Sequence, residues 1–138
     1  MKSLYYFVLS MFLSIAFVSC QGDEETKSGK DILTSNSWKV SSYQINGEEI
    51  ALEDCQKDDY LTFATNGTYT DFRGTLKCPG EIQTDINGTW TLSQDEKILT
   101  LTNYQGEQAV TVEITESKLV LTSSDDDDII VITLLPFL

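Results

Sequence analysis

The sequence predicts an all-β protein, an antiparallel up-and-down meander of about eight strands that closes into a barrel. After residue 37 no long helical pattern is found, runs rich in Val, Ile, Leu, Thr and aromatic residues alternate with polar ones, and short turn signals separate the runs. Strands are expected near 37–45, 59–65, 68–73, 86–93, 97–102, 107–114, 117–123 and 128–135.

Turn residues support this order of strands. Three Asn-Gly pairs, which tolerate the positive φ angles of tight hairpins, occur at Asn46-Gly47, Asn66-Gly67 and Asn87-Gly88. Strands joined so tightly are antiparallel neighbours, and a closed meander has no exposed edge strands. An open two-sheet sandwich is the alternative.

Alternation also assigns the side chains to faces. Ser41-Ser42 interrupts the phase of the first strand, which predicts a β-bulge there. Before that strand, residues 31–36 are expected to form one helical turn that Asp31 could cap. The predicted core stripes are Trp38 with Val40, Leu61 with Phe63, Trp90 with Leu92, Leu99 with Leu101, Val110 with Val112 and Ile114, and Leu119 with Leu121.

The first 19 residues are typical of an export signal. Lys2 precedes an apolar run over residues 4–18. This run is shorter than the roughly 20 residues that a membrane-spanning helix needs. Cys20 follows Phe17-Val18-Ser19, and this arrangement resembles the bacterial lipobox, although Phe17 replaces the usual Leu. The resemblance implies that Cys20 is the first mature residue and carries lipid such as palmitate; a secretory signal with a chance cysteine is the alternative.

Residues 20–30 are expected to be a flexible tether, because they are polar and lack hydrophobic periodicity. Their start, Gln21-Gly22-Asp23-Glu24-Glu25, resembles the signal that exports some Bacteroidetes lipoproteins to the surface of the outer membrane. The resemblance implies a lipid-anchored protein at the cell surface. A solvated linker without address information is the alternative.

Residues 31–138 are long enough for one domain. The formal charge of the chain is −13, and removing the signal with Lys2 makes it more negative, so nucleic acid would be repelled. Lipidation of Cys20 leaves Cys55 and Cys78 as a pair, which we expect to form a disulfide in an oxidising compartment. Two cysteines without histidine or a C-x-x-C motif do not predict a metal site.

Several motifs together resemble the lipocalin-like domain lipoproteins of Bacteroidetes. The resemblance covers roughly residues 31–137, and it implies a lipocalin-like barrel and an envelope location. It is carried by the order of the lipobox, the tether, Asn36-Ser37-Trp38-Lys39-Val40, residues 55–63, Asn66-Gly67-Thr68-Tyr69, Gly88-Thr89-Trp90-Thr91-Leu92, residues 97–101 and residues 118–121.

Catalysis is not predicted. The chain has no histidine, no Ser or Cys has a recognisable activating partner, and most acids fall in the tether or in turns. Asp125-Asp126-Asp127-Asp128 lacks the alternation and the glycine of a calcium loop and is interpreted as a solvated hairpin tip. No cofactor is expected.

Two functional hypotheses remain for the barrel. In the first, it binds a small apolar molecule or acts as an accessory subunit at the cell surface, with a cavity lined by Trp38, Phe63, Tyr69 and Trp90. In the second, those aromatic side chains fill the barrel, which then serves as a structural module that docks onto another envelope protein.

Overall fold

The computed structural model describes residues 26–80 and 84–137. In these ranges one short helix precedes nine strands that share a single sheet. The elements are α1 (Gly29–Ser35), β1 (Ser37–Ile45), β2 (Glu48–Ile50), β3 (Tyr60–Phe63), β4 (Thr68–Phe72), β5 (Ile86–Leu92), β6 (Ile98–Asn103), β7 (Gly106–Ile114), β8 (Leu119–Asp125) and β9 (Asp128–Phe137).

The first and last strands close the sheet into a barrel. From β3 to β9 each strand pairs antiparallel with the next, and β9 returns to pair with β1 from Ser37↔Phe137 to Ile45↔Ile130. The other edge of β1 pairs with β3 through Ser37–Lys39 and with the extra strand β2 through Tyr43–Ile45. The predicted meander of eight strands is confirmed, and it is a closed barrel rather than an open sandwich.

The predicted bulge lies in β1. Val40 pairs with Leu134 but Ser42 pairs with Thr133, so one extra residue is inserted into β1 at this point. The insertion changes the phase of alternation, and Tyr43, opposite Ile132, faces the barrel interior like Val40 before it.

The predicted core stripes are confirmed. One residue or more of every stripe is buried, and the others pack against the buried cluster. The buried set also includes Leu134 from β9 and Ile32 and Leu33 from the helix. The core therefore lies inside the barrel and continues onto one end of it, where α1 packs.

The helix begins two residues earlier than predicted. It spans Gly29–Ser35, and Ser28 is its N-cap, accepting a 3.1 Å hydrogen bond from the backbone N of Asp31. The prediction that Asp31 caps the helix is therefore wrong; this residue lies in the first turn, where its carboxylate accepts from Ser28 Oγ at 2.8 Å. Trp38 Nε1 donates to the carbonyl of Leu33 at 3.0 Å, which fixes α1 to the start of β1.

Two of the three Asn-Gly turns are confirmed. Asn46-Gly47 joins β1 to β2 with φ of 54° and 82°, and Gly67 has a φ of 84° between β3 and β4. Asn87-Gly88, in contrast, lies inside β5. Gly88 is opposite Tyr69, and a Cβ there would collide with the Tyr69 ring and the Thr102 carbonyl, so this glycine provides close packing rather than a turn.

Three predicted features lie outside the described residues: the signal over 1–19, Cys20, and residues 21–25 of the tether. Within the described ranges, no helix has the length and apolar character needed to span a bilayer.

Candidate ligand-binding site

The two ends of the barrel differ. One end, which we call the closed end, carries α1 and the turns 64–67, 93–97 and 115–118. At the opposite end, the open end, lie the short turns 46–47, 104–105 and 126–127 and two longer segments, 51–59 and 73–80. We call these two segments the cap, because both contribute to the wall of a cavity at this end.

A disulfide joins the two cap segments. Cys55 and Cys78 are bonded, with their Cα atoms 5.4 Å apart, which confirms the predicted pair. The carboxylate of Glu53 lies within 4.8 Å of both sulfur atoms. This trio is not a metal site, because disulfide sulfurs are not thiolates.

Asp58 provides a second connection between the cap segments. Its Oδ2 accepts hydrogen bonds from the backbone N of Thr75 at 2.7 Å and of Leu76 at 3.0 Å, and from Thr75 Oγ1 at 3.1 Å. The hydrogen bond from the backbone N of Leu76 is the largest influence that lowers the pKa of Asp58 below its ordinary value. A Cβ on Gly74 would collide with the same carboxylate, so glycine is required where the segments cross.

The cavity has a volume of about 370 Å³, within the range of small-molecule sites. Its wall is mainly apolar and comes from both the barrel and the cap. The barrel strands contribute Val40, Tyr43, Tyr60, Leu61, Leu121, Ile132 and Leu134. Strand β2 and the cap contribute Ile50, Ala51, Leu52 and Gln56.

Three charged residues complete the wall of the cavity: Asp59, Asp71 and Arg73. Arg73 Nη1 donates to Asp59 Oδ2 at 3.2 Å, and Nη2 donates to Asp71 Oδ2 at 2.8 Å. The side chain of Asp59 is only 13% exposed, that of Asp71 22% and that of Arg73 23%. Asp59 Oδ1 also accepts from the backbone N of Gly74 at 2.8 Å, which is a further connection between the two cap segments. The bond from Arg73 to Asp71 of β4 links the cap to the barrel wall.

Burial raises the pKa of Asp71, and this effect outweighs the opposing influence of Arg73. The carboxylates of Asp59 and Asp85 raise it further. Asp85 is held nearby, since its Oδ1 accepts from the backbone N of Arg73 at 2.9 Å. The single guanidinium therefore does not fully compensate the negative charge around Asp71.

Two polar atoms in this region are buried without a hydrogen-bond partner among the described residues: Arg73 Nε and Asp58 Oδ1. Such atoms are uncommon in folded proteins, because each loses its hydration without compensation. The Arg73 donor belongs to a residue of the cavity wall. Arg73 thus keeps one buried N–H group unpaired, while its single positive charge is shared by two carboxylates.

The four aromatic residues predicted to line a cavity lie in the packed core and not in the wall of this cavity. Trp38, Phe63, Tyr69 and Trp90 are at most 5% exposed. Phe63 contacts Trp90 edge-on at 5.7 Å between centroids, and Tyr69 at 6.2 Å. Their polar atoms are satisfied within the fold: Trp90 Nε1 donates to the carbonyl of Ala64 at 3.1 Å, and Tyr69 Oη accepts from Asn103 at 2.8 Å.

The acidic segment 125–128 forms the tip of the β8–β9 hairpin, as predicted. Its residues are exposed, and Asp126 has a φ of 50°. Asp128 accepts a 2.7 Å hydrogen bond from Asn46 Nδ2, and Asn46 Oδ1 accepts from the backbone N of Ile129 at 2.9 Å. Two turns of the open end are joined in this way.

The ion network was not predicted from the sequence, although a signal was present. Asp59 has the same parity as Leu61 and Phe63, and Asp71 and Arg73 have the same parity as Tyr69. Period-two alternation therefore places all three charged residues on the inward face, near the open end. Charged residues on an inward face are the kind of departure that marks a functional site.

Comparisons with known proteins agree with this architecture. The model of a family described as a lipocalin-like domain matches residues 35–121. No curated protein matches the sequence. A crystal structure of a duf4847 family protein from Bacteroides vulgatus ATCC 8482 is similar, with 15% identity and a TM-score of 0.50 over 76% of this chain and 96% of that one.

At this identity the structural likeness concerns the fold alone. The family match covers more than half of the chain and includes the early Trp38 and strands β1 to β7 completely. A barrel of this kind supports a binding or structural role. The chain belongs to the family of lipocalin-like domain proteins.

Proposed function

We propose that this protein is a non-catalytic lipoprotein of the bacterial outer membrane whose barrel binds one small, largely apolar molecule in the open-end cavity. The cavity carries the proposal: it has about 370 Å³ of space, and most of its lining residues are apolar. The closed end is filled by core side chains and covered by α1, so a ligand would enter from the open end.

The charged residues of the cavity are suited to binding rather than to hydrolysis. Asp59 and Asp71 both bind the same guanidinium of Arg73, at 3.2 and 2.8 Å. A glycosidase needs one carboxyl group free to donate a proton and a second free to attack or to activate water. Carboxylates that share one arginine are positioned to orient a polar group of a ligand instead.

A neutral fluorescent probe tests the cavity directly. N-phenyl-1-naphthylamine, whose emission increases in apolar surroundings, is titrated into the mature chain carrying Cys20→Ala, which is free of lipid and detergent. We expect saturable binding of one molecule. Ile132→Trp, which fills the cavity from β9, should abolish it, whereas Ile129→Trp should not, because Ile129 is an exposed residue of the same strand. Equal binding by both variants would refute the cavity as the site.

The anchor is the second part of the proposal. Cys20→Ala should remove lipid labelling and release the protein in soluble form, and continued membrane attachment would refute lipidation. Replacing Asp23, Glu24 and Glu25 should retain the protein at the inner leaflet of the outer membrane. Protease treatment of intact cells distinguishes the two leaflets, because only surface-exposed chains are cleaved.

A second candidate role, docking onto an envelope protein, is favoured by a cluster of partly exposed aromatic side chains that includes Tyr60 at the border of the cavity. The Tyr60 ring stacks on Phe72 at 4.6 Å between centroids and contacts Phe137 edge-on at 5.1 Å. All three side chains are only half-buried. Crosslinking on intact cells separates the roles: a stoichiometric neighbour that is lost on Phe72→Ser supports docking, and its absence supports ligand binding alone.

A further inference from the structure

The charges inside the cavity are not balanced. Two carboxylates, Asp59 and Asp71, face one guanidinium, Arg73, so the described wall carries a formal charge of −1. All three side chains are less than a quarter exposed, and water screens their interactions only partly. A third carboxylate, that of Asp85, repels the charge of Asp71 from the adjoining loop.

A ligand with a negative head group would increase this imbalance. It could accept a hydrogen bond from Arg73, but it would also approach Asp59 and Asp71. Each of the two Nη nitrogens already donates one of its two N–H groups to one of these carboxylates. The positive charge of Arg73 is thus already shared by two partly buried carboxylates, and an added anion would be repelled by both of them.

A ligand with a positive head group would correct the imbalance. An ammonium group near Asp71 would supply the opposite charge that Arg73 provides only in part, and its N–H groups could bind the carboxylate oxygens. Burial already disfavours the ionised form of Asp71, which raises its pKa, and a bound cation would relieve this cost.

The surface around the open end also favours a cationic ligand, because it is acidic. The hairpin tip 125–128 and the pair Glu48-Glu49 of β2 are exposed and acidic. Two lysines lie in the cap: Lys57 binds Asp54 at 2.8 Å, and Lys77 binds the carbonyls of Arg73 and Gly74. Acids outnumber them at this end, and such a field attracts cations to a cleft and repels anions.

We infer that the cavity selects small amphiphiles with a protonated amine head group over alcohols or carboxylates with the same tail, the head group lying at Asp59, Asp71 and Arg73. This inference rests on the proposed function, because it requires that the cavity binds ligands. The apolar wall formed by residues such as Leu121 and Ile132 holds the tail.

Three eight-carbon probes test the selection by their ability to displace N-phenyl-1-naphthylamine at pH 7.5. Octylamine is cationic there, since primary amines titrate near 10.4, octanoate is anionic, and 1-octanol is neutral. We expect octylamine to displace the fluorophore at a concentration about tenfold lower than octanol, with octanoate the weakest of the three. The mature chain carrying Cys20→Ala is used throughout.

Asp71→Asn assigns the preference to the ion network. In this variant the concentrations of octylamine and octanol that displace the fluorophore should become similar, while the concentration of octanol that is needed stays nearly unchanged. The control is Glu107→Gln, which removes an equal charge from an exposed position of β7 outside the cavity and should retain the preference. Loss of the preference in both variants would overturn the assignment, because the overall charge would then explain it.

The outcomes separate this inference from the proposed function. Failure of N-phenyl-1-naphthylamine to bind would contradict the proposed function itself. Normal binding of the fluorophore, with octanol or octanoate displacing it as well as octylamine does, would overturn the amine inference alone. The wild-type ratio of octylamine to octanol distinguishes these outcomes even if Asp71→Asn fails to fold.

Discussion

Arg73 Nη2 donates to Asp71 Oδ2 over 2.8 Å at the open end of the barrel, and the pKa of Asp71 is nevertheless raised. Burial is the largest cause, and the carboxylates of Asp59 and Asp85 act in the same sense. The ionised Asp71 therefore costs the fold free energy that the ion pair does not return. A residue retained at such a cost is a candidate for a functional role.

This relationship predicts how stability depends on pH. A carboxyl group with a folded-state pKa above its unfolded value binds protons more tightly in the folded state, so its contribution to stability falls as pH rises through that range. Asp71→Asn removes this contribution. The difference in free energy of unfolding, Asp71→Asn minus wild type, should therefore be larger at pH 7.5 than at pH 4.5 in urea titrations, so that the variant gains stability relative to wild type as the pH rises. A relative stability that instead worsens at pH 7.5 would contradict the raised pKa.

The amine preference should depend on pH for the same reason. Protonation of Asp71 removes the charge that attracts an ammonium group, and its raised pKa makes this loss begin above the ordinary Asp range, near 3.8. Arg73, Asp59 and Asp85 are the charged groups that act on it. The ratio of octylamine to octanol affinity should fall as pH is lowered from 7.5 toward 4.5, whereas octylamine itself remains charged. A constant ratio would indicate that Asp71 is not the acceptor.

The disulfide should stabilise the cap and, through it, the cavity. Cys55 and Cys78 close a loop with a sequence separation of 23, for which the chain-entropy estimate is about 3 kcal/mol. Cys55→Ser with Cys78→Ser should lower the free energy of unfolding by about this amount and weaken binding of N-phenyl-1-naphthylamine. Adding reductant should destabilise the wild type but leave the double variant unchanged. Equal stability of the two proteins without reductant would show that the cap does not depend on the bond.

Gly88→Ala should destabilise the barrel although it lies in a strand. Its Cβ would collide with the Thr102 carbonyl and the Tyr69 ring, and overpacking of this kind costs about 1–3 kcal/mol. Thr91→Ala, an exposed change in the same strand, should cost less than about 0.5 kcal/mol. Thermal unfolding of both variants compares them; a Gly88→Ala as stable as wild type would refute the close packing.

The contrast between two Asn-Gly pairs shows where local sequence suffices and where it does not. Asn66-Gly67 separates two alternating runs, and it forms the predicted turn between β3 and β4. Asn87-Gly88 has the same composition but lies within β5, where the Tyr69 ring of the neighbouring strand requires a residue without a side chain at Gly88. That requirement comes from a partner 19 positions away and is not visible in the dipeptide.

The core stripes could be predicted because hydrophobic burial repeats with the period of a strand. The cap and β2 could not, because segments 51–59 and 73–80 are organised by a disulfide and by the hydrogen bonds of Asp58 and Asp59, which have no period. The aromatic residues expected around a cavity instead fill the closed end. Large aromatic side chains bury the most apolar area, so these four occupy the core, and the space of about 370 Å³ lies at the open end, where most of the lining side chains are aliphatic or polar.

Native mass spectrometry of the protein purified from its own host tests most directly whether the open-end cavity is a ligand site. We expect the wild type to carry one small molecule per chain and Ile132→Trp, purified in parallel, to carry none. Repeated recovery of wild-type protein without any bound small molecule, or the same adduct on both proteins, would contradict a ligand site in the open-end cavity.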